Sequence, residues 1–214
     1  MPPPGYCFTL AGKLWKIEEV DTRHKAVYVK SSRGKVDTLW LGAGGDVHTR
    51  IMAKIREVLG STALYPYLAP SAAARLERAR RLAKESGLLT REVLPAGGDS
   101  MFILPWAGSR QFRTLERLLK NNLKGRLGLR SIVPMEPYYM VVAGRTDAET
   151  LEEEIIAEST AATDPLSLLG PDEAPYLGKY DEFIPHDLLR KAFSLDGLDV
   201  PGLLSVLKEW QRGQ

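Results

Sequence analysis

Hydrophobic positions in the first 45 residues come in short runs, at 8–10, 14–20, 26–30 and 36–41, separated by polar stretches at 11–13, 21–25 and 31–35. The runs are rich in β-branched and aromatic residues, and the separators hold Gly, Asp, Ser and Lys, the chemistry of strands joined by tight turns. Leu14, Ile17 and Val20 break strict alternation, which predicts a bulge or twist near Glu18 and Glu19. Four such strands in succession predict an antiparallel β-meander, curled into a small barrel or half-barrel.

After Gly45 the spacing becomes helical. Ile51, Ile55, Val58 and Leu59 share one face, with Asp46 as N-cap and Gly60 as stop. A second helix is predicted over 72–86, capped by Ser71 and closed by Gly87. Residues 91–95 and 101–106 predict a hairpin, and a third helix runs over 110–124 between Ser109 and Gly125. Strands at 132–133 and 138–143 are split by Pro134 and Pro137. Thr146 and Glu149 form a capping box that opens an acidic helix to about residue 159. Helical segments near 185–193 and 201–212 follow a proline-containing loop. The fold class is therefore α+β: an N-terminal antiparallel β-meander or half-barrel, then a mixed α/β domain with several helices. The segments are 1–60 (meander plus helix), 61–145 (basic α/β) and 146–214 (acidic, mainly helical), and they can also form one continuous domain.

Composition narrows the function classes. The 214 residues are 44% hydrophobic and 26% charged, which excludes wholesale disorder and low-complexity scaffolds. One cysteine, Cys7, excludes a disulfide framework and a thiolate zinc finger. No run of 18 apolar residues occurs, so no membrane partner is expected, and the opening residues lack a signal-peptide pattern. A cytoplasmic protein is expected. The net charge of +2 hides an asymmetry: residues 1–145 hold 24 Lys/Arg against 12 Asp/Glu, and residues 146–214 hold 5 against 15. Such polarity fits either a polyanion partner for the basic part or two signs that meet within the fold.

Catalytic motifs are missing. Gly12-Lys13, Gly34-Lys35 and Gly178-Lys179 are followed by Leu, Val and Tyr, so no Walker A loop is present. Gly42, Gly44 and Gly45 precede a helix, but without a βαβ unit they read as a strand-to-helix turn. His24, His48 and His186 lack metal-ligand spacing, and no nucleophile–base pair is legible. No catalytic residue, metal or cofactor is expected in this chain.

The positive signal is the third helix. Arg113, Arg117, Lys120 and Lys124 form one stripe, opposite Phe112, Leu115, Leu119 and Leu123. Like charges so spaced repel one another, and an anionic partner would offset that cost. Arg75, Arg78 and Arg81 on the second helix form a second tier, and Arg110 opens the third. Two readings stay open: a solvated face balanced by the acidic helix, or phosphate-backbone contacts. Trp15 and Trp40 are expected in a core, whereas Trp106 fits either a core or a stacking platform for a nucleic-acid base.

Several segments together resemble the region that follows the motor in Lhr-like superfamily 2 (DEAD/DEAH-box) ATP-dependent helicases. They are FTLAGKLWKIEEVD at 8–21, AVYVK at 26–30, LWLG at 39–42 and RIMAKIREVL at 50–59. Further along come PWAG at 105–108 with Thr114 and Leu115, KYDEFIP at 179–185 and LLRKAF at 188–193. None of these segments holds a catalytic residue. The resemblance implies RecA-like motor domains that bind ATP and magnesium elsewhere in a parent protein. It also implies a non-catalytic accessory role in which this chain helps hold single-stranded DNA or RNA. The alternative is a protein–protein interaction module that docks on the motor domains or on an acidic partner. The nucleic-acid-binding residues expected on the first reading are Arg113, Arg117, Lys120, Lys124, Arg110, Arg75, Arg78, Arg81 and Trp106.

Overall fold

The structure, a computed structural model, describes residues 3–10, 13–32, 45–162, 164–176, 178 and 180–212. These form two compact units, 1–45 and 46–214, and the architecture is α+β. The boundary precedes the first helix, so that helix belongs to the second unit and not with the meander. The segments 61–145 and 146–214 share a single core instead of forming separate bodies.

In the first unit β1 (Cys7–Leu10), β2 (Lys13–Asp21) and β3 (Ala26–Ser31) pair antiparallel in sequence order. The expected fourth strand, with Trp40, lies outside the described residues. The register between β2 and β3 slips between Ile17 and Glu19, where the broken alternation predicts a bulge. That slip keeps Ile17 buried although the alternation around it fails. Asp21 closes the β2–β3 turn by accepting from the amides of His24 and Arg23. These bonds, the His24 amide first, hold the Asp21 carboxyl below its ordinary value.

The second unit has a four-stranded antiparallel sheet in the order β4-β5-β7-β6. Its strands are β4 (Val93–Gly97), β5 (Ser100–Ile103), β6 (Leu129–Met135) and β7 (Tyr139–Gly144). Pro134 lies within β6 instead of ending it, because β6 is the edge strand and the missing N–H breaks no ladder bond on its outer side. Helices α1 (Thr49–Gly60) and α2 (Pro70–Glu85) pack together. Helix α3 (Ser109–Arg117) leads directly into a π-helical segment, Leu118–Leu123, in place of one continuous α-helix. Helices α4 (Ala148–Ala161), α5 (His186–Asp196) and α6 (Val200–Arg212) complete the unit.

Helix starts differ from the sequence expectation in a consistent way. His48, not Asp46, caps α1: its Nδ1 accepts from the Arg50 amide, while the Asp46 carboxylate is drawn to Arg113. Pro70, pre-set for a first helical turn, starts α2 before Ser71 can cap it. Asp147, not Thr146, caps α4 by accepting from the Thr150 amide at 2.8 Å.

The core of the second unit surrounds α3 and its π-helical extension. Phe112, Leu115, Leu118, Leu119 and Leu123 are fully buried, against Ile103 and Met140 of the sheet, Leu151 and Ile155 of α4, Phe193 of α5 and Trp210 of α6. The four apolar positions read as the anchoring face (Phe112, Leu115, Leu119, Leu123) all lie in this core. Leu119→Ala should lower unfolding free energy by about 2–5 kcal/mol in urea denaturation, since transfer loss and cavity add. The Thr150 amide bond holds the Asp147 carboxyl below its ordinary value of 3.8, so its stabilisation is present above that pH and lost as pH falls through the lowered folded value. Asp147→Asn keeps the cap but removes the charge. Its stability deficit against wild type should therefore be present at neutral pH and vanish in strong acid, as read by denaturation at both.

Candidate nucleic-acid interface

The structure sorts the nine residues expected to meet nucleic acid into two groups: Arg110, Arg113, Arg117, Lys120 and Trp106 are buried or bonded within the second unit, and Lys124, Arg75, Arg78 and Arg81 are exposed. The two arginines of the stripe on the third helix are turned inward. The Arg113 side chain is only 14% exposed. Its guanidinium spans Asp46, at 2.8 and 2.9 Å, and Glu136, at 2.9 Å, and its Nε donates to Gly197 O. Burial works to lower the Arg113 pKa, but hydrogen bonds to Asp46 and the charge of Glu136 outweigh it and hold the group above its ordinary value. Burial raises Glu136, against the pull of Arg113.

Arg117, 12% exposed, pairs with the buried Glu116 at 2.7 Å and lies over the Phe193 ring. Its Nε also lies against Glu173 as an ion pair that lacks hydrogen-bond alignment. Lys120 reaches Glu116 at 2.6 Å. Lys124 alone of the four is exposed without an ion-pair partner among the described residues. Arg110 donates twice to main-chain carbonyls, Leu195 O and Leu198 O, each at 2.7 Å. An outward, unneutralised row on this helix is therefore not what the structure holds. Glu116, Glu136, Asp46 and Glu173 neutralise it from within, because a helix packed on nearly every side must pair the charges it buries.

Trp106 is also interior, at 9% exposed, with the Arg56 guanidinium 5.6 Å from its ring centre. It is not an exposed stacking platform. Its φ of 52° is one that non-glycine residues rarely adopt, at a cost of order 1–3 kcal/mol.

The second tier is different. Helix α2 buries Arg80 and Ala83 against its neighbours, and Arg80 spends its guanidinium on Val58 O, Ser61 Oγ, Ala63 O and Glu77. On the outer face Arg75, Arg78 and Arg81 are exposed, with no ion-pair partner among the described residues, and Lys84 flanks them. At 3.6 residues per turn the three arginines span about 120° around Leu82, itself 55% exposed. Glu85 is the one carboxylate in that arc, since Glu77 is engaged by Arg80.

Among the described residues no group of three or more His, Cys, Asp or Glu is placed to hold a metal ion. No described helix is long and apolar enough to cross a membrane. Comparison with protein-family models, curated proteins and solved structures finds nothing that matches this chain.

Sequence reasoning missed the carboxylates that hold the stripe. Glu116 is adjacent to Arg117 and four residues before Lys120, a spacing that signals a helical pair. Asp46 and Glu136 are 67 and 23 residues from Arg113, and no local pattern announces them. Arg113→Ala should destabilise the protein by about 2–3 kcal/mol because it strands two partly buried carboxylates. Arg78→Ala should stay within about 0.5 kcal/mol of wild type. Urea denaturation of both variants checks the division between internal and surface cations.

Proposed function

We propose that this chain is a non-catalytic accessory module that contacts the phosphate backbone of single-stranded DNA or RNA through the outer face of α2. The observation that carries this reading is the exposed trio Arg75, Arg78 and Arg81, which has no carboxylate partner among the described residues, while Arg80, Arg113 and Arg117 have carboxylates and Arg110 is held by main-chain carbonyls. Guanidinium groups held on a rigid helix offer charge-assisted, sequence-tolerant bonds to phosphate oxygens. Leu82 between them adds an apolar surface that tolerates any base. The resemblance to the post-motor region of Lhr-like helicases supplies the context: separate ATP-driven motor domains, with this module beside them helping to hold one strand.

A second reading draws on a separate feature. A groove of about 900 Å³ between α1 and α2 is lined by Ile51, Ile55, Val58 and Leu76, with Arg50 at its border. Ile51 is 53% exposed. An apolar groove with a basic border favours docking of an acidic amphipathic protein segment, including one from the motor domains.

Fluorescence anisotropy with a labelled single-stranded oligonucleotide separates the two. Three or four phosphate contacts predict a fall of log K with log salt of slope about −2 to −3. Arg75→Glu with Arg78→Glu and Arg81→Glu should abolish binding, and unchanged affinity would remove the nucleic-acid reading. Stoichiometric association with a motor fragment and no oligonucleotide binding would favour docking.

A further inference from the structure

One face of the four-stranded sheet forms part of the core, and the other is open to solvent. In β7 burial alternates strictly, with Met140 and Val142 inside and Tyr139 and Val141 on the opposite side. The register carries that alternation across all four strands. Leu94 of β4 lies opposite Phe102 of β5, Phe102 opposite Val141, and Val141 opposite Val133 of β6. A second row pairs Tyr139 with Met135, and a third runs through Ser100, Ala143 and Ser131. None of the side chains in these rows is charged. Phe102 is 37% exposed, Val133 52% and Met135 50%, so the face is uncovered.

An apolar sheet face left open marks a surface for a partner, and two observations say of what kind. First, aromatic rings lie together on it. Phe102 and Tyr139 meet edge to face, with ring centres 5.6 Å apart and planes at 80°, and Tyr138, the residue before, is exposed as well. Second, cations stand at both ends of the face. At its β4 edge α2 ends: a Cβ on Gly87, in the turn after that helix, would lie 3.8 Å from Leu94 Cδ2, and Lys84 is in the last turn of α2. At the other end Arg130 sits where the register slips between Leu129 and Ser131, and Arg145 follows β7. Arg130 is paired with Asp99, whereas the exposed Arg145 has no ion-pair partner among the described residues. Asp147, two residues on, spends its carboxylate on the Thr150 amide and hydroxyl.

A purely apolar protein segment would cover the rows and leave the cations at the ends without a counter-charge. A strand of unpaired nucleotides meets both demands, with planar bases over the rings and phosphates at the ends. Three inter-strand steps of about 4.8 Å give the face a width of roughly 14 Å. Two or three bases fit over such a sheet.

We propose that the open face of this sheet is a stacking platform for two or three unpaired bases of a DNA or RNA strand, seated on Phe102 and Tyr139, with a phosphate at Arg145. It rests on the α2 reading for its partner and adds where the bases of that strand go. Stacking tolerates any sequence because every base presents a π-face. Val133, Met135 and Val141 complete the apolar floor around the two rings.

Titrating the full chain into a labelled oligothymidylate and, separately, into an abasic strand of the same length tests the platform. Phe102→Leu and Tyr139→Leu remove a ring and keep an apolar side chain, and each should weaken oligothymidylate binding about tenfold. The salt slope should stay at its wild-type value, because stacking releases no counterions. Affinity for the abasic strand, which keeps the phosphates, should not change. Arg145→Ala should weaken binding to both strands and reduce the slope by about 0.7. Thermal unfolding verifies that each variant is folded. Wild-type affinity in both leucine variants overturns the platform, as does an equal loss on the abasic strand. If the α2 triple charge reversal still abolishes binding in that case, the α2 reading stands alone. Weakening by the leucine variants beside an ineffective α2 reversal keeps the platform and removes the α2 reading. Absence of oligonucleotide binding, with association to a motor fragment lost in the leucine variants, assigns the face to a protein and overturns the proposal.

Discussion

The internal pairing of Arg113 with Asp46 and Glu136 is the interaction on which the second unit turns. The helix that carries Arg113 is packed on nearly all sides, so its cations cannot remain in water. A guanidinium taken out of solvent loses several kcal/mol of hydration and persists only where carboxylates and carbonyls replace the water. Arg113 meets that demand with Asp46, Glu136 and Gly197 O, and Arg117 meets it with Glu116 and Glu173. Apart from Glu116 on the helix itself, those partners come from the residues before α1, the β6–β7 turn, the loop before α5 and the turn after it. Neutralising one helix therefore ties distant segments of the chain to a common centre.

Two functional consequences follow from that demand. Cations recruited for internal pairing are withdrawn from any partner, so the surface charge able to meet a polyanion shifts from α3 to α2. Asp46 is also diverted from capping α1, and His48 takes the cap in its place. The first residues of α1 then lie against Gly108 and Ser109, through Ser109 N to Val47 O at 2.9 Å and Gly108 N to Thr49 Oγ1 at 3.1 Å. Bringing helix starts together in this way collects like-signed dipole ends at one place, beside the carboxylates of Asp46 and Asp199.

Much of the architecture was legible locally. The bulge at Ile17 to Glu19, the hairpin of β4 and β5, Gly87 with its φ of 73°, and the apolar face through Phe112, Leu115, Leu119 and Leu123 all follow from short-range pattern and turn chemistry. Caps were less legible. Asp46 and Ser71 have the right chemistry, yet a long-range arginine and a preceding proline decide what they do. The candidate site was legible only in part, because the same periodicity that marks Arg113 and Arg117 as a stripe says nothing about what faces it.

Sequence alone determined the element types, the order of strands and helices, and which helix face is apolar, because these depend on residues within a few positions of one another. Tertiary structure alone decided which cations are spent internally, where the boundary between the units falls, and which helix starts share a cavity. Electrostatic pairing acts through space: a carboxylate 67 residues away neutralises an arginine as effectively as a neighbour, and only the folded chain brings the two within 3 Å.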